Sequence, residues 1–246
     1  MNIALTIAIK DIKEAFRNKS IYIYIAFLFF ISFPYLSGLG NILTNLVNQG
    51  LNTAILQEES RSFLNVIMYT LPMTLSMLFC TYLSAYALIL EKAKRTLESL
   101  LATPASLRQV WVGKSLAVFV PSMVVAIIVV TVSIIALNMV VIIPKTGNFI
   151  FPGVLPIITG LLIIPAVTLG LVMIVSVLQL IMSNPRIGNF AFIGFFLGFY
   201  MLTITGVSSS WDFSLIYLAV IAVLIIVNVL LSRVFTKERV VLSSKI

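Results

Sequence analysis

Few residues in this chain have the types and spacing that chemistry requires. The 246 residues include no histidine, and the single cysteine, Cys80, has no partner for an internal disulfide. Gly113-Lys114-Ser115 matches the end of a phosphate-binding loop, but the glycine required five residues earlier is replaced by Arg108. Paired buried carboxylates and a serine–histidine arrangement are also missing. The sequence therefore predicts no catalytic, cofactor-binding or metal site in this chain, and no enzyme activity.

The composition indicates which solvent surrounds the fold. Hydrophobic residues make up 61% of the chain and charged residues only 10%. A soluble domain is about 25% charged and needs a polar exterior, so lipid is the expected solvent. The net charge of +8 is attributed to basic cytoplasmic loops, and nucleic acid is not expected as a partner. The fold class predicted is an all-α integral membrane protein, with residues 1–246 forming one membrane domain.

Apolar runs predict about six transmembrane helices, because crossing the hydrocarbon core takes about 20 residues. The expected spans are Ile21–Leu39, Phe63–Leu90, Ser115–Ile142, Val154–Met182, Phe190–Val207 and Phe213–Val234. No Asp, Glu, Lys or Arg lies in the interior of any of them, and Arg233 stands next to the last residue of the sixth. That absence argues against a proton-coupled carrier, since proton relays need ionisable residues within the membrane.

Basic residues predict the orientation of the chain. Fourteen of them fall in the N-terminal segment, the second-to-third and fourth-to-fifth connections and the tail, against Arg61 and Lys145 in the opposite loops. Both termini are therefore expected in the cytoplasm. The outer segment 41–62 is left open between a small cap, packed through Leu46, Leu51 and Ile55, and a mobile loop.

The first 20 residues predict an amphipathic helix on the inner membrane surface. Leu5, Ile9, Ile12 and Phe16 share one helical face, while basic residues lie on another. An ordinary solvated leader before the first span is the alternative. Charges extend to Lys19, which is not the pattern of a cleavable signal peptide.

The connection between the second and third spans carries the most informative pattern. Leu97, Leu100 and Leu101 have the spacing of one apolar stripe on a short helix. Pro104 ends that helix, because the residue before proline avoids the α region. Ser106 is expected to cap the next helix. A short amphipathic helix of this kind suits a groove on a partner protein, and a helix lying against the membrane is the alternative.

Several residues of this connection form a recognisable series. They are Glu91, Thr96-Leu97-Glu98, Leu100-Leu101, Thr103-Pro104, Ser106 and Gly113-Lys114. The series resembles the cytoplasmic segment of type-two ABC transporter permeases, which reads as an acidic residue, Gly-Thr-Leu-Glu, Leu-Leu, Ser/Thr-Pro, a spacer and Gly-Lys. Arg95 stands where glycine is frequent, which leaves the turn at that point open. The six-span layout extends the resemblance, less specifically, over the whole chain.

The resemblance implies the membrane subunit of an ATP-driven transporter, an exporter, in a prokaryotic plasma membrane. Two permease subunits would pair, as a homodimer or heterodimer, and each would dock on a separate ATP-binding subunit that holds ATP and magnesium. Segment 91–113 would be the coupling loop, and segment 1–20 would resemble the connecting helix of the family. The implied coupling residues are Glu91, Arg95, Thr96, Leu97, Glu98, Leu100, Leu101, Pro104, Gly113 and Lys114.

Two other functions remain open at this point. A self-contained channel or secondary carrier would need a lining of uncharged polar residues, for which the candidates are Thr70, Thr74, Ser76, Thr81, Ser84, Thr168, Ser176 and Gln179. These residues also serve ordinary packing between membrane helices. A scaffold that recruits a cytoplasmic protein would use the same loop. The substrate and the residues that contact it are not predicted.

Overall fold

The chain folds into long helices. The computed structural model describes residues 3–50, 52–86, 91, 106–182, 184, 188, 190, 192–195, 197–198 and 213–234. All regular structure within these residues is helical, which confirms the all-α prediction for that part of the chain.

Five helical segments of the described chain are long and apolar enough to cross a membrane. They are Lys19–Asn48, Thr53–Ser84, Leu107–Thr146, Val154–Ile181 and Ser214–Arg233. Each overlaps one of the predicted spans. The other predicted span, Phe190–Val207, lies largely outside the described residues, so the count of six stays a prediction, as does the orientation of the termini.

The N-terminal part contains three consecutive helices, α1 Ile3–Phe16, α2 Lys19–Ile31 and α3 Phe33–Asn48. Asn18 separates α1 from α2, because its side-chain oxygen accepts a hydrogen bond from the Ser20 amide (3.1 Å) and so caps α2. Pro34 lies in the first turn of α3, where a missing amide hydrogen is tolerated. Together α2 and α3 make the first span.

The described residues of segment 41–62, which is expected on the outer side, form a helical hairpin and not a separate cap or loop. Helix α3 continues to Asn48, and α4 begins at Thr53 and runs to Ser84. The turn between them contains Gly50 at φ +70°, a conformation that glycine adopts without strain. Leu43 and Leu56 are buried and Leu46 packs partly against them in the core, whereas Ile55 is exposed. Ile55, a possible packing residue in the cap alternative, thus does not pack in the core, and Leu51 lies outside the described residues.

The long helix α5, Leu107–Leu137, begins with the predicted Ser106 cap. The Gln109 amide donates to Ser106 Oγ (3.3 Å), and the Ser106 amide donates to Gln109 Oε1 (2.9 Å). This reciprocal pair is a capping box, which satisfies two amides at the helix end. The prediction from sequence is therefore confirmed at this position.

A π turn follows α5, and a second π turn interrupts the helical segment after it. Each π turn lies just before an Ile-Pro pair. One covers Asn138–Ile142 and leads into α6, Ile143–Thr146. The other covers Thr159–Ile163, between α7 Val154–Ile158 and α8 Ile164–Ile181. Proline cannot donate the amide bond of an α-helix, and a wider turn ahead of it accommodates the interruption.

Pro72 lies inside α4 and removes the amide that would bond the Met68 carbonyl. The π turn at Gly160 passes so close to this carbonyl that a Cβ on Gly160 would lie 3.0 Å from its oxygen. The carbonyl of the next residue, Tyr69, accepts a hydrogen bond from the Tyr217 hydroxyl (2.9 Å). Neighbouring helices thus pack tightly around the proline site, as membrane helices with internal proline require.

Helices α4, α5 and α8 form the centre of the described bundle. Helix α1 packs along α5, and α9, Phe213–Val234, packs along α8. Apolar side chains such as Phe79 and Leu71 of α4 and Leu171 of α8 are fully buried between them. This bundle holds the ends of the α4–α5 connection in place.

Candidate coupling site

Helix α1 presents three different faces. Ala4, Ile7, Ala8, Asp11 and Ala15 are buried. The predicted apolar face is distinct from this packing face, since Leu5 and Ile9 are exposed and Ile12 and Phe16 are partly buried. Basic residues Lys10, Lys13 and Arg17 lie on a third, exposed face. The amphipathic pattern therefore left out the side of α1 that contacts the protein, and its contact with a membrane stays a prediction.

Gly113 allows α1 to approach α5 closely. A Cβ built on Gly113 would lie 2.8 Å from the Ala4 carbonyl oxygen and 3.0 Å from Ile7 Cβ. Separations this short do not occur between real Cβ atoms and backbone oxygens, so a larger residue would push the helices apart. Helix α1 packs extensively on α5.

Next to Gly113, Lys114 is enclosed by two carboxylates. Its ammonium nitrogen lies 2.7 Å from Asp11 Oδ2 and 2.5 Å from Glu91 Oε2. The Lys114 side chain is 1% exposed, that of Asp11 5% and that of Glu91 22%. Lysine is almost never buried to this extent unless it is paired, and here it has two partners. We call these three residues the Lys114 cluster.

Burial has the largest effect on the Asp11 carboxyl. Loss of hydration raises the pKa of the Asp11 carboxyl above its usual range, although Lys114 acts in the opposite direction. Burial therefore outweighs the ion pair at Asp11. Such clusters contribute little net stability, but removing one partner leaves a buried charge unpaired and is strongly destabilising.

Three segments that are distant in sequence meet at Lys114. Asp11 lies in the middle of α1, Lys114 in the second turn of α5, and Glu91 in a helical position at the start of the connection 91–113. Both ends of that connection are therefore fastened to each other and to α1.

The structure brings together three of the residues implied by the resemblance, Glu91, Gly113 and Lys114. The others lie outside the described residues: Arg95, Thr96, Leu97, Glu98, Leu100, Leu101 and Pro104. Sequence reasoning missed Asp11. Its signal was available, because Asp11 is the one acid among small residues spaced along a single face of α1, Ala4, Ala8 and Ala15.

Gly113-Lys114-Ser115 does not form a phosphate-binding loop. All three residues are helical, whereas that motif is a loop between a strand and a helix. The Lys114 ammonium is held by carboxylates, and Ser115 Oγ lies 2.7 Å from Ser176 Oγ. Gly113 faces α1. Each residue of the triplet thus has a packing partner within the bundle.

The uncharged polar residues that could line a channel are engaged in hydrogen bonds. Thr70, Thr74 and Thr81 each donate to a carbonyl four residues earlier in α4. The other candidate residues form side-chain contacts between helices. These contacts are Ser76 with Thr168 (3.4 Å), Gln179 with Ser84 (3.3 Å) and Ser115 with Ser176 (2.7 Å). Trp111 also donates its indole hydrogen to Ser176 Oγ (3.1 Å). These contacts favour helix packing over a polar path.

The fold and this site define an α-helical membrane protein with several spans and a fastened connection between two of them. A sequence profile described as ABC-2 family transporter protein matches residues 5–207, which is more than half of the chain. The chain therefore belongs to the ABC-2 transporter family and is a membrane permease of ABC transporters. Members of this family are transport subunits and are not themselves catalytic. No match was found among curated proteins or among solved structures.

Proposed function

We propose that this permease is the membrane subunit of an ATP-driven exporter and that segment 91–113 docks on a separate ATP-binding subunit. Two permease chains, identical or different, would enclose the path. The proposed membrane is the plasma membrane of a prokaryote. Export is proposed from the family resemblance, and the substrate class is left open.

The observation that carries the proposal is the fastening of both ends of the connection at the Lys114 cluster. A docking loop can move transmembrane helices only if force on the loop reaches them. Glu91 and Lys114 supply that link at the two ends, within a loop whose sequence resembles the family's coupling segment. ATP would favour one access state because the ATP-bound partner binds that state of the loop more tightly.

The interior of the described spans supports an external energy source. The Asp, Glu, Lys and Arg residues of the described spans lie near the span ends, for example Glu58 and Lys145 at one end of the bundle and Lys114 at the other. A proton-driven carrier requires such groups within the membrane. A transporter that takes its energy from a partner subunit requires no such groups within the membrane.

The first test is a pull-down of the tagged protein from its native membrane in mild detergent, with identification of the bound chains by mass spectrometry. We expect a stoichiometric ATPase with a phosphate-binding loop. Leu100→Asp should remove it, because a charge on the apolar stripe is poorly accommodated in an apolar groove. Insertion in the membrane should be unchanged.

The matched control is Asn48→Asp, which introduces the same charge at an exposed position at the other end of the bundle. It should retain the ATPase. Normal recovery of the ATPase with Leu100→Asp would refute docking through this loop. A preparation free of any ATPase, under conditions that preserve a known ABC complex, would favour a channel or a scaffold instead.

A further inference from the structure

The Lys114 cluster contributes more to position than to stability. Lys114 and Asp11 are buried and Glu91 is partly buried, and the burial penalty on Asp11 exceeds the attraction of Lys114. Apolar residues of similar size often stabilise such a site at least as well. What an ionic cluster adds is directional contacts of fixed length, here between three separate segments.

Helix α1 has its principal attachment at this cluster and the packing face around it. It packs far more extensively on α5 than on any other described element, including α2, which follows it in the chain. Gly113 brings the two backbones into close contact, and Ile7 packs against Val110 one turn earlier. Leu5 and Ile9, on the adjacent face, are exposed.

We propose that the Lys114 cluster makes α1 a moving part of the coupling unit, so that α1 and the start of α5 travel together when the loop is displaced. Asp11 is a positioning residue in this unit: it is buried and acts on the loop through Lys114. The motion of α1 then reaches α2 through the short Asn18 junction. This inference rests on the proposed function, since it assumes that a partner displaces the loop.

The test measures two distances by electron paramagnetic resonance in the complex with the co-purified ATPase. The first pair of spin labels, at Lys13→Cys and Arg108→Cys, reports α1 against α5. The second pair, at Arg108→Cys and Glu59→Cys, reports the start of α5 against the far end of α4. All three positions are exposed, and the buried Cys80 is replaced by alanine to remove background labelling.

With ATP and vanadate, we expect the second distance to shift and the first to stay unchanged. In Asp11→Asn the first distance should broaden before nucleotide is added and should then change with nucleotide. Glu91→Gln provides a second variant with the same expected direction. Glu14→Gln, an acid-to-amide change at an exposed position of the same helix, should behave like the parent protein.

Two results would overturn the inference. One is a nucleotide-dependent change of the first distance in the parent protein, and the other is a narrow, unchanged first distance in both Asp11→Asn and Glu91→Gln. If the second distance never shifts, the proposed ATP coupling fails. The nucleotide-free comparison of Asp11→Asn with Glu14→Gln still decides whether the cluster holds α1.

Discussion

The Lys114 cluster and the hydroxyl pairs inside the bundle differ in the charge of their polar groups and in the number of segments that they join. The cluster uses three charged side chains at the end of the bundle and joins α1, α5 and the start of the connection 91–113. The interior pairs, such as Ser76 with Thr168, use neutral groups and join two helices. Of these two kinds of contact, the one that joins three segments uses charged groups and the one that joins two helices uses neutral groups.

The difference follows from the cost of burial. A hydroxyl can satisfy its donor on its own helix, as Ser76 does at the Met73 carbonyl and Thr168 at the Ile164 carbonyl. Because a hydroxyl has a single hydrogen, a hydrogen bond donated across helices is an alternative to this bond and has modest value. A buried ammonium has no such alternative partner on its own helix and depends on its carboxylate partners. Loss of one partner should therefore be much more damaging at the cluster than at the hydroxyl pairs.

The largest effect is expected for Lys114→Met. This change removes the only cation of the cluster and leaves Asp11 and Glu91 facing each other. Breaking a buried pair in this way costs about 3–5 kcal/mol. Reversible unfolding in mixed detergent micelles measures the loss. Arg108→Met removes an exposed charge two turns earlier and serves as control. A loss for Lys114→Met no larger than that of the control would contradict this account of the cluster.

A smaller effect is expected for Gly113→Ala. The added Cβ would meet the Ala4 carbonyl oxygen, and backbone cannot move aside as a flexible side chain can. Overpacking of this kind costs about 1–3 kcal/mol and should loosen α1. Hydrogen exchange of residues 3–16 reports that loosening directly. Gly40→Ala is the control, because nothing lies within 4 Å of its Cβ position. Equal exchange in the two variants would show that α1 tolerates the wider separation.

The smallest effect is expected for Ser76→Ala. The variant loses the contact with Thr168, which keeps its own bond to the Ile164 carbonyl. Hydrogen bonds between membrane helices are worth about 0.6 kcal/mol on average. Thr131→Val, which removes an exposed hydroxyl bonded only within α5, is the control in the same unfolding experiment. A loss for Ser76→Ala as large as that for Lys114→Met would abolish the contrast between the two regions.

Local patterns in the sequence determined the helical class, five of the spans and the Ser106 cap, because run length and capping chemistry depend on neighbouring residues. They also predict the connection 91–113 as the coupling segment, and most of it lies outside the described residues. The outer hairpin was less predictable, since its helices extend beyond the apolar runs through polar residues such as Asn45 and Glu58.

Only the tertiary structure decided which apolar faces are inside. The apolar 18-residue windows of the spans Leu107–Thr146 and Ser214–Arg233 have the same mean hydropathy, 2.9, yet 44% of the first window and 17% of the second is buried. Lipid is as apolar as a protein core, so hydropathy cannot separate the two environments. The pairing of Asp11 with Lys114 likewise depends on how α1 folds back onto α5. Sequence thus determined which segments meet the membrane, and packing determined which of them meet each other.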